Sequence, residues 1–494
     1  MSDTLQMARE SLGMYLGIDL GTSAVKACII DDRGAVSATA SASLSVLHPF
    51  REASEQDCDA WWTGACKAVR GLPPEARARV CAIGLSGQMH GAVLLDAAHK
   101  PIRPAILWND GRATAECAAM TDAEPQVGQL SGVPPMPGFT APKLLWLARH
   151  EPKTHTRIAH VLLPKDYIGL CLHGACVTDP SDAAGTGWLD QQRRAWSDRL
   201  CEISATDPAW LPDLRNGADI AGQLLPGAAE DLGLPAGIPV ATGAGDAAAG
   251  AVGIGAIEEG DGFLSLGTSG QLFVTTRDYR PNPESRIHAY AHTLPDRWFQ
   301  MAAMLNGARP IAWLAGLLDR PIEALLAEAE SASTGPLFLP YLMGERTPHG
   351  DAAIRGGFAM LGETTTQGSL MRAVLEAIAF TFADAMAALA EAGTKPDSLL
   401  AIGGGARNDL LMQMIADATG CPLARSDGAD VGPALGAARL ALASTGMADP
   451  ASVMAKPEPN RWFKPSPDAA EGVQDRLAAY RALYPALKRV QKLL

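Results

Sequence analysis

A chain of 494 residues, 47% hydrophobic and 19% charged, has an ordinary globular composition and length enough for two or three domains. Its formal net charge of -13 opposes non-specific nucleic-acid binding, which needs a basic surface. No run reaches the ~18 unbroken apolar residues of a membrane span, and the N-terminus lacks the apolar core of a signal peptide.

Residues 1–13 read as a short N-terminal extension, because the first strand-like run begins at Met14 and Tyr15. Residues 15–20 form an apolar strand with Asp19 near its end, and residues 24–30 a second strand across the tight turn Gly21-Thr22-Ser23. Asp32-Arg33-Gly34 then turns the chain into a third, residues 35–41. A helix is expected over 55–70, with Ser54 as its N-cap and Asp57 three residues on. Residues 80–85 read as a buried strand, residues 86–91 as a loop, and residues 92–95 as another strand. Hairpins, a helix and further strands make an α/β pattern with a mixed sheet. Residues 110–225 are looser, punctuated by Pro134, Pro135, Pro137 and Pro142, and read as an insertion that shapes a pocket.

At residues 241–270 the chain turns glycine-rich and proline-free, and sets Asp246 in a bed of Gly and Ala. The stretch ends on a strand-like run that breaks at Gly267-Thr268-Ser269-Gly270. Leu266-Gly267-Thr268-Ser269 repeats Leu20-Gly21-Thr22-Ser23, and strand-like runs flank both copies. The chain therefore reads as two related halves that meet here, with a phosphate-bearing nucleotide between them. Residues 263–266, 271–275 and 298–304 repeat the strand–turn–strand opening of the first half. A long apolar-periodic helix covers 369–389. A strand over 399–402 leads through Gly403-Gly404-Gly405 to another helix, and Gly432-Pro433 opens a helix of small residues. A basic helix over 473–494 closes the chain and reads as packing.

Several of these pieces can carry chemistry. A carboxylate such as Asp19, beside a Gly-Thr-Ser turn, can hold Mg²⁺ through water while the turn meets phosphate. The plain alternative is a hairpin turn with a hydrogen-bonded Asp. The second copy favours phosphate, because two facing hairpins make a clamp. Asp246 can serve as a general base if a hydroxyl comes within reach, or can cap a helix; both can hold. The glycines around it miss the spacing of a dinucleotide fingerprint. The run 403–405 can admit a flat ligand or an anion at a helix N-terminus, or can simply turn strand into helix. Met89 and His90 can line a sugar pocket, with the imidazole bonding hydroxyls, or can sit in an ordinary loop. Trp108-Asn109-Asp110-Gly111-Arg112 is a pocket wall or a turn. There is no Gly-Lys dipeptide, hence no P-loop, and no Gly-x-Ser-x-Gly elbow. The nine cysteines form no C-x-x-C pair. Cys171 and Cys176, five apart, suit neither zinc nor a disulfide framework, and the reducing cytoplasm is the simplest compartment. His150-Glu151 with His155 has one residue too many for H-E-x-x-H and includes Pro152.

Together these motifs resemble the FGGY carbohydrate kinases, within the superfamily that includes actin and the chaperone ATPases. The resemblance runs from Met14 to the C-terminal helix. Residues 15–23 are similar to the family's first phosphate motif, 266–270 to its second, 403–407 to its adenosine motif and 138–150 to its first signature. Residues 88–91 resemble the sugar-contacting loop of the members that phosphorylate xylulose; glycerol-phosphorylating members carry Arg-Glu there. Residues 108–112 and 344–349 point the same way.

The resemblance implies two ribonuclease-H-like α/β lobes, mixed sheets flanked by helices, with the active site in the cleft between them. The sugar-binding lobe would span 14–256 and the nucleotide-binding lobe 257–494, terminal helix included. The implied reaction moves the γ-phosphoryl group of MgATP to D-xylulose. Asp246 would be the base and Asp19 would position Mg²⁺. Met89, His90, Trp108 and Asp110 would contact the sugar. Gly21, Thr22, Ser23, Gly267, Thr268, Ser269, Gly404, Gly405 and Asn408 would hold the nucleotide. A cytoplasmic homodimer is implied, and no nucleic-acid or membrane partner. Ala247 stands where the family carries a sugar-contacting amide, which leaves another keto-sugar, polyol or sugar acid open as acceptor. Met360 and Ser369 depart from the second family signature, which residues 372–376 match again.

Overall fold

The computed structural model describes residues 13–426, 432–447 and 453–493, so the expected N-terminal extension lies outside the described residues but for Gly13. Two seven-stranded mixed sheets form its frame. In the first, β1 (Met14–Leu20), β2 (Ala24–Asp31) and β3 (Val36–Ser43) run antiparallel in that order. β1 is apolar and buried on both faces, as a central strand must be, whereas β3 carries Ser, Thr and Ala and leaves one face in water. Helix α1 (Cys58–Arg70) covers this ribbon. Its N-cap is Asp57, which accepts a hydrogen bond from the Asp59 N–H at 3.0 Å, and not the expected Ser54. The chain is still extended at Glu55–Gln56, which pair with Ala105–Ile106, so the helix starts three residues later than expected.

Strand β4 (Val80–Gly87) lies parallel to β1 and runs two residues further than expected. β5 (Ile220–Gln223) and β6 (Pro239–Ala241) complete the far side, with β6 parallel to β4 and β5 antiparallel to β6. The short β7 (Ala244–Gly245) pairs with the end of β4 and leads directly into α2 (Asp246–Gly253).

The second sheet repeats this plan. β8 (Gly262–Leu266), β9 (Gly270–Thr276) and β11 (Trp298–Met304) run antiparallel, with β10 (His288–Ala291) added at the edge. Helix α3 (Gln367–Glu391) fills the core of this lobe. By length and composition α3 could cross a membrane, but its most apolar window is 83% buried inside the protein, so it is a core helix. β12 (Leu399–Ile402) is parallel to β8, and a single 3₁₀ turn leads from it into α4 (Asp409–Thr419). β13 (Leu423–Arg425) is parallel to β12 and β14 (Arg461–Phe463) antiparallel to β13. Strand directions therefore match from sheet to sheet, as the repeated tetrapeptide led one to expect.

The lobes share their packing. Helix α5 (Pro433–Ser444) follows β13 in sequence, yet packs on the first sheet, against Tyr15, Cys28, Ile30 and Ala82. Helix α2 ends the first half, yet Ala247, Ala248 and Val252 cluster with Phe263, Phe273 and Phe299 of the second sheet. Between the sheets α2 and α5 cross at backbone contact: a Cβ on Gly436 would stand 1.8 Å from the Ala249 carbonyl oxygen. Gly17 and Gly84 admit α5 in the same way, their virtual Cβ atoms falling 2.0 Å from Ala434 O and 1.9 Å from Ala437 O. The terminal helix α6 (Ala470–Gln491) packs against the second lobe through Leu477 and Tyr480, as expected.

Replacing Gly84 by Val should therefore push α5 off the sheet and cost roughly 3 kcal/mol in urea unfolding, at the upper end of overpacking costs. Gly227→Ala, where the new methyl meets nothing within 4 Å, should be neutral or stabilise by up to about 1 kcal/mol. Equal stability of the two variants would contradict this account of the helix seat.

Candidate active site

The site lies at the carboxyl ends of the parallel strands of both sheets, where open α/β sheets bind ligands. Strand register sets its floor. Asp19 of β1 pairs with Ser86 of β4, and Ser86 pairs with Ala244 of β7. Asp246 follows β7 at once, as the first residue of α2, with Gly245 as N-cap. The two carboxylates thus leave strand ends two places apart, roughly 10 Å across the sheet. Asp19 is buried, and its Oδ1 has no hydrogen-bond partner. Burial raises its pKa, and the nearby Ser86 hydroxyl and the Lys26 ammonium draw it back. Asp246 is open to cleft water although protein encloses it. That enclosure first, and then the charge of Asp19, push the Asp246 carboxyl up to about 7, against the pull of the Ala247 N–H. Water in the cleft screens part of this effect and leaves its direction upward.

A cavity of about 310 Å³ opens beside Asp246. Ala247 and Gly250 of α2, Ser265 and Gln271 of the second sheet, Gly403, and Gly432-Pro433 at the start of α5 line it. The positive N-terminal end of α5 therefore borders a space where an anion would be favoured.

On the other side of Asp246 stands the loop that follows β4. Met89 is buried, and its thioether lies against the Cβ-less Gly245. His90 has φ of 69°, which turns its ring onto Phe139, stacked with centroids 4.5 Å apart. Its Nδ1 lies 2.6 Å from the Gly185 carbonyl, which fixes the proton on Nδ1 and leaves Nε2 as an acceptor. Burial lowers the His90 pKa to about 3, so the ring is neutral. Lys143 donates to the His90 and Ile106 carbonyls and so locks the loop from behind.

Some expected contacts take a different form. The Thr22 hydroxyl donates to Gln88 Oε1 at 2.7 Å and accepts from Trp108 Nε1 at 3.0 Å. It belongs to a side-chain network with Gln88 and Gln56 and is not free to donate to a phosphate. Trp108 is 41% exposed at the cleft edge. Asp110 has both oxygens occupied, by the Ser54 N–H and by a paired grip from Arg112, which also binds Glu55. It braces the Trp108 loop and offers no free oxygen to a substrate. Asn408 caps α4, its Oδ1 accepting from the Leu411 N–H at 2.7 Å. Of the glycine run, Gly403 and Gly405 press on Leu266, and Gly404 alone faces open space. The first turn, with Gly21 and Ser23, is held by the Gly21 N–H on the Ala24 carbonyl. Gly267, Thr268 and Ser269 form an exposed turn, braced by the N–H groups of Gly307, Ala308 and Arg309. The His150-Glu151-His155 cluster is no chelate: Glu151 pairs with Arg103, and His155 binds the Ala205 carbonyl.

The structure adds residues that the sequence reading missed. Behind Asp246, Lys165 Nζ stands 2.5 Å from Asp166, 3.4 Å from Asp179 and 3.7 Å from Asp182, all buried. Ser181 joins this cluster to the site by accepting the Gly245 N–H at 3.1 Å. Burial raises Asp182 well above the ordinary carboxylate range, with Lys165 opposing and Asp166, Asp179 and Asp246 adding. A Lys-Asp dipeptide inside the apolar run 161–172 was the available signal. Arg346, whose charge helps depress His90 and His288, makes no side-chain hydrogen bond among the described residues.

Comparison with known proteins gives the family and matches the two-lobe fold. Residues 14–253 match the FGGY family of carbohydrate kinases, N-terminal domain, and residues 262–445 its C-terminal domain. A xylulose kinase of Escherichia coli is 44% identical over 485 residues, covering 96% of this chain and 99% of the relative. The crystal structure of a xyloylose kinase from Brucella ovis superposes with a TM-score of 0.92 at 43% identity, over 97% of this chain and 100% of that one. A gluconate kinase from Lactobacillus acidophilus superposes with a TM-score of 0.91 at 25% identity, over 97% and 98%.

If the charge of Asp19 holds the Asp246 carboxyl up, Asp19→Asn should lower the Asp246 pKa in a carbon-13 NMR titration of the metal-free protein. An unchanged or higher value would remove Asp19 as a cause.

Proposed function

The chain belongs to the FGGY family of carbohydrate kinases, and we propose that it phosphorylates D-xylulose with ATP to give D-xylulose 5-phosphate. The observation that carries this reading is Asp246, a carboxylate raised in pKa at the start of α2, set between the Met89-His90 loop and the cavity lined by Ser265, Gln271 and Gly403. Asp246 takes the proton of the terminal hydroxyl as that oxygen bonds to the γ-phosphorus, and the bond from γ-phosphorus to the ADP oxygen breaks. Met89 shapes the apolar wall of the sugar pocket, and His90 Nε2 accepts a hydrogen bond from a sugar hydroxyl. Trp108 closes the cleft edge, and Asp110 serves the sugar indirectly by holding Trp108. Thr268, Ser269 and the backbone N–H groups of both turns steady the phosphates, and Gly404 gives adenine a flat seat. Asp19, with its unpartnered buried oxygen, fits Mg²⁺, which neutralises phosphate charge when bound.

A second reading keeps the chemistry and changes the acceptor to another keto-sugar, a polyol or a sugar acid. Ala247 favours it, because a methyl and not an amide meets the cavity next to Asp246. We assign residues 14–256 to the sugar and 257–494 to the nucleotide, and place the protein in the cytoplasm, where nine free thiols persist. A homodimer completes the reading, and sedimentation velocity checks it.

Mass spectrometry of the product from ATP and D-xylulose should show a pentulose monophosphate, and a panel of other acceptors should react more slowly. Asp246→Asn should reduce kcat by about 10²–10⁴ while ATP binding persists. The base works unprotonated, so kcat/KM should fall as pH drops through about 7, and a flat profile would argue against Asp246. His90→Ala should raise the sugar KM more than the ATP KM; the reverse would move His90 out of the sugar pocket.

A further inference from the structure

His99, His160 and Cys176 come from three separate segments of the N-terminal lobe and are not among the residues of the site described above. Their ligand atoms all lie within 4.8 Å of one another. His99 sits in the turn between Asp96 and Lys100, which Asp96 pins by accepting the Ala98 and Lys100 N–H groups at 2.9 and 3.0 Å. His160 opens the strand His160–Leu162 and pairs with Leu95, at the base of that turn. Cys176 precedes Val177–Thr178, and its carbonyl accepts the Asp213 N–H at 3.1 Å. The imidazoles of His99 and His160 meet edge to face, with centroids 4.8 Å apart. Among the described residues none of the three donor atoms makes a hydrogen bond, so the three stand close together without a protein partner.

We propose that His99, His160 and Cys176 bind one divalent transition-metal ion of the zinc class. Two imidazoles and one thiolate suit such an ion and do not suit Mg²⁺, which prefers oxygen, so the ion needed for phosphate chemistry does not compete here. Tetrahedral zinc wants these atoms roughly 3.3–3.6 Å apart, given bonds of about 2.0–2.3 Å, so the side chains close inward by about 1 Å on binding. Binding replaces the Cys176 thiol proton, which leaves to solvent, by an S–metal bond, and water takes the fourth position. Sequence spacing gives no hint of this site, because the ligands stand 61 and 16 residues apart.

The ion would fasten the outer ends of two segments that lead to the site floor. One runs from His160 to Lys165, the other from Cys176 to Asp179 and Asp182. Metal binding should therefore stabilise the N-terminal lobe without touching a substrate.

The test uses the full chain, freed of metal by a chelator and titrated with Zn²⁺ in excess Mg²⁺. Calorimetry should show one tight equivalent at this site, and the thermal midpoint should rise with zinc concentration. Co²⁺ should give a thiolate-to-metal charge-transfer band in the near ultraviolet. Cys176→Ser should abolish the band and weaken zinc binding about tenfold or more, whereas Cys171→Ser should change neither. His99→Gln, a change in a surface turn, should weaken zinc to a similar extent and provides the test should Cys176→Ser not fold. Absence of a stoichiometric zinc equivalent, or zinc binding that survives His99→Gln or Cys176→Ser undiminished, would overturn the proposal.

Discussion

Everything at the site hangs on the crossing of two helices made of small residues. Between the sheets, α2 and α5 meet with no side chain separating Gly436 from the Ala249 backbone. Because Asp246 is the first residue of α2, the depth of that crossing fixes where its carboxylate stands. The same crossing brings the N-terminus of α5 to the rim of the neighbouring cavity. One contact at backbone distance therefore sets the relation between a carboxylate and an anion-favouring helix end, which belong to different halves of the chain. Interiors packed to this density have no slack to absorb an added methyl.

The electrostatics around that crossing are unusually acidic for a place proposed to receive phosphates. Asp19 and Asp246 face the cleft, and Asp166, Asp179 and Asp182 lie behind, with Lys165 as the cation among them. A buried cluster with more carboxylates than cations keeps protons, which fits the upward direction at Asp182 and Asp246. The same surplus favours a cation near Asp19, whose Oδ1 has no hydrogen-bond partner. Towards the Met89-His90 loop, the Arg346 guanidinium opposes this negative field.

Much of this was legible in the sequence, for identifiable reasons. Strand–turn–strand patterns repeat because each sheet needs the same apolar centre and the same tight turn, so the duplicated Leu-Gly-Thr-Ser exposed the plan. Asp246 stood out because nothing near it in sequence could pair with it. Long-range partners were not legible. Ser54 and Asp57 are both good caps, and only the pairing of Glu55–Gln56 with Ala105–Ile106 decides between them. Asp110 looks like a pocket residue until Arg112 and Ser54 close around it. A helix of Ala and Gly does not disclose which sheet it will cover, so the seat of α5 on the first sheet could not be read from residues 433–444. The Lys165 cluster joins segments some distance apart, and only one of its pairs is adjacent in sequence.

That seat has a consequence for how the protein comes into being. The first sheet is finished as a hydrogen-bonded object when β7 has been made, but one of its faces stays bare until α5 exists. At about 5–20 residues per second, the roughly 190 residues from the end of α2 to the end of α5 take on the order of 10 to 40 s to synthesise. Through that interval Tyr15, Ile30 and Ala82 have no native cover. A nascent chain of this design carries an uncovered apolar sheet face until the last strand-covering helix has been made, and a first half expressed alone would keep that face bare.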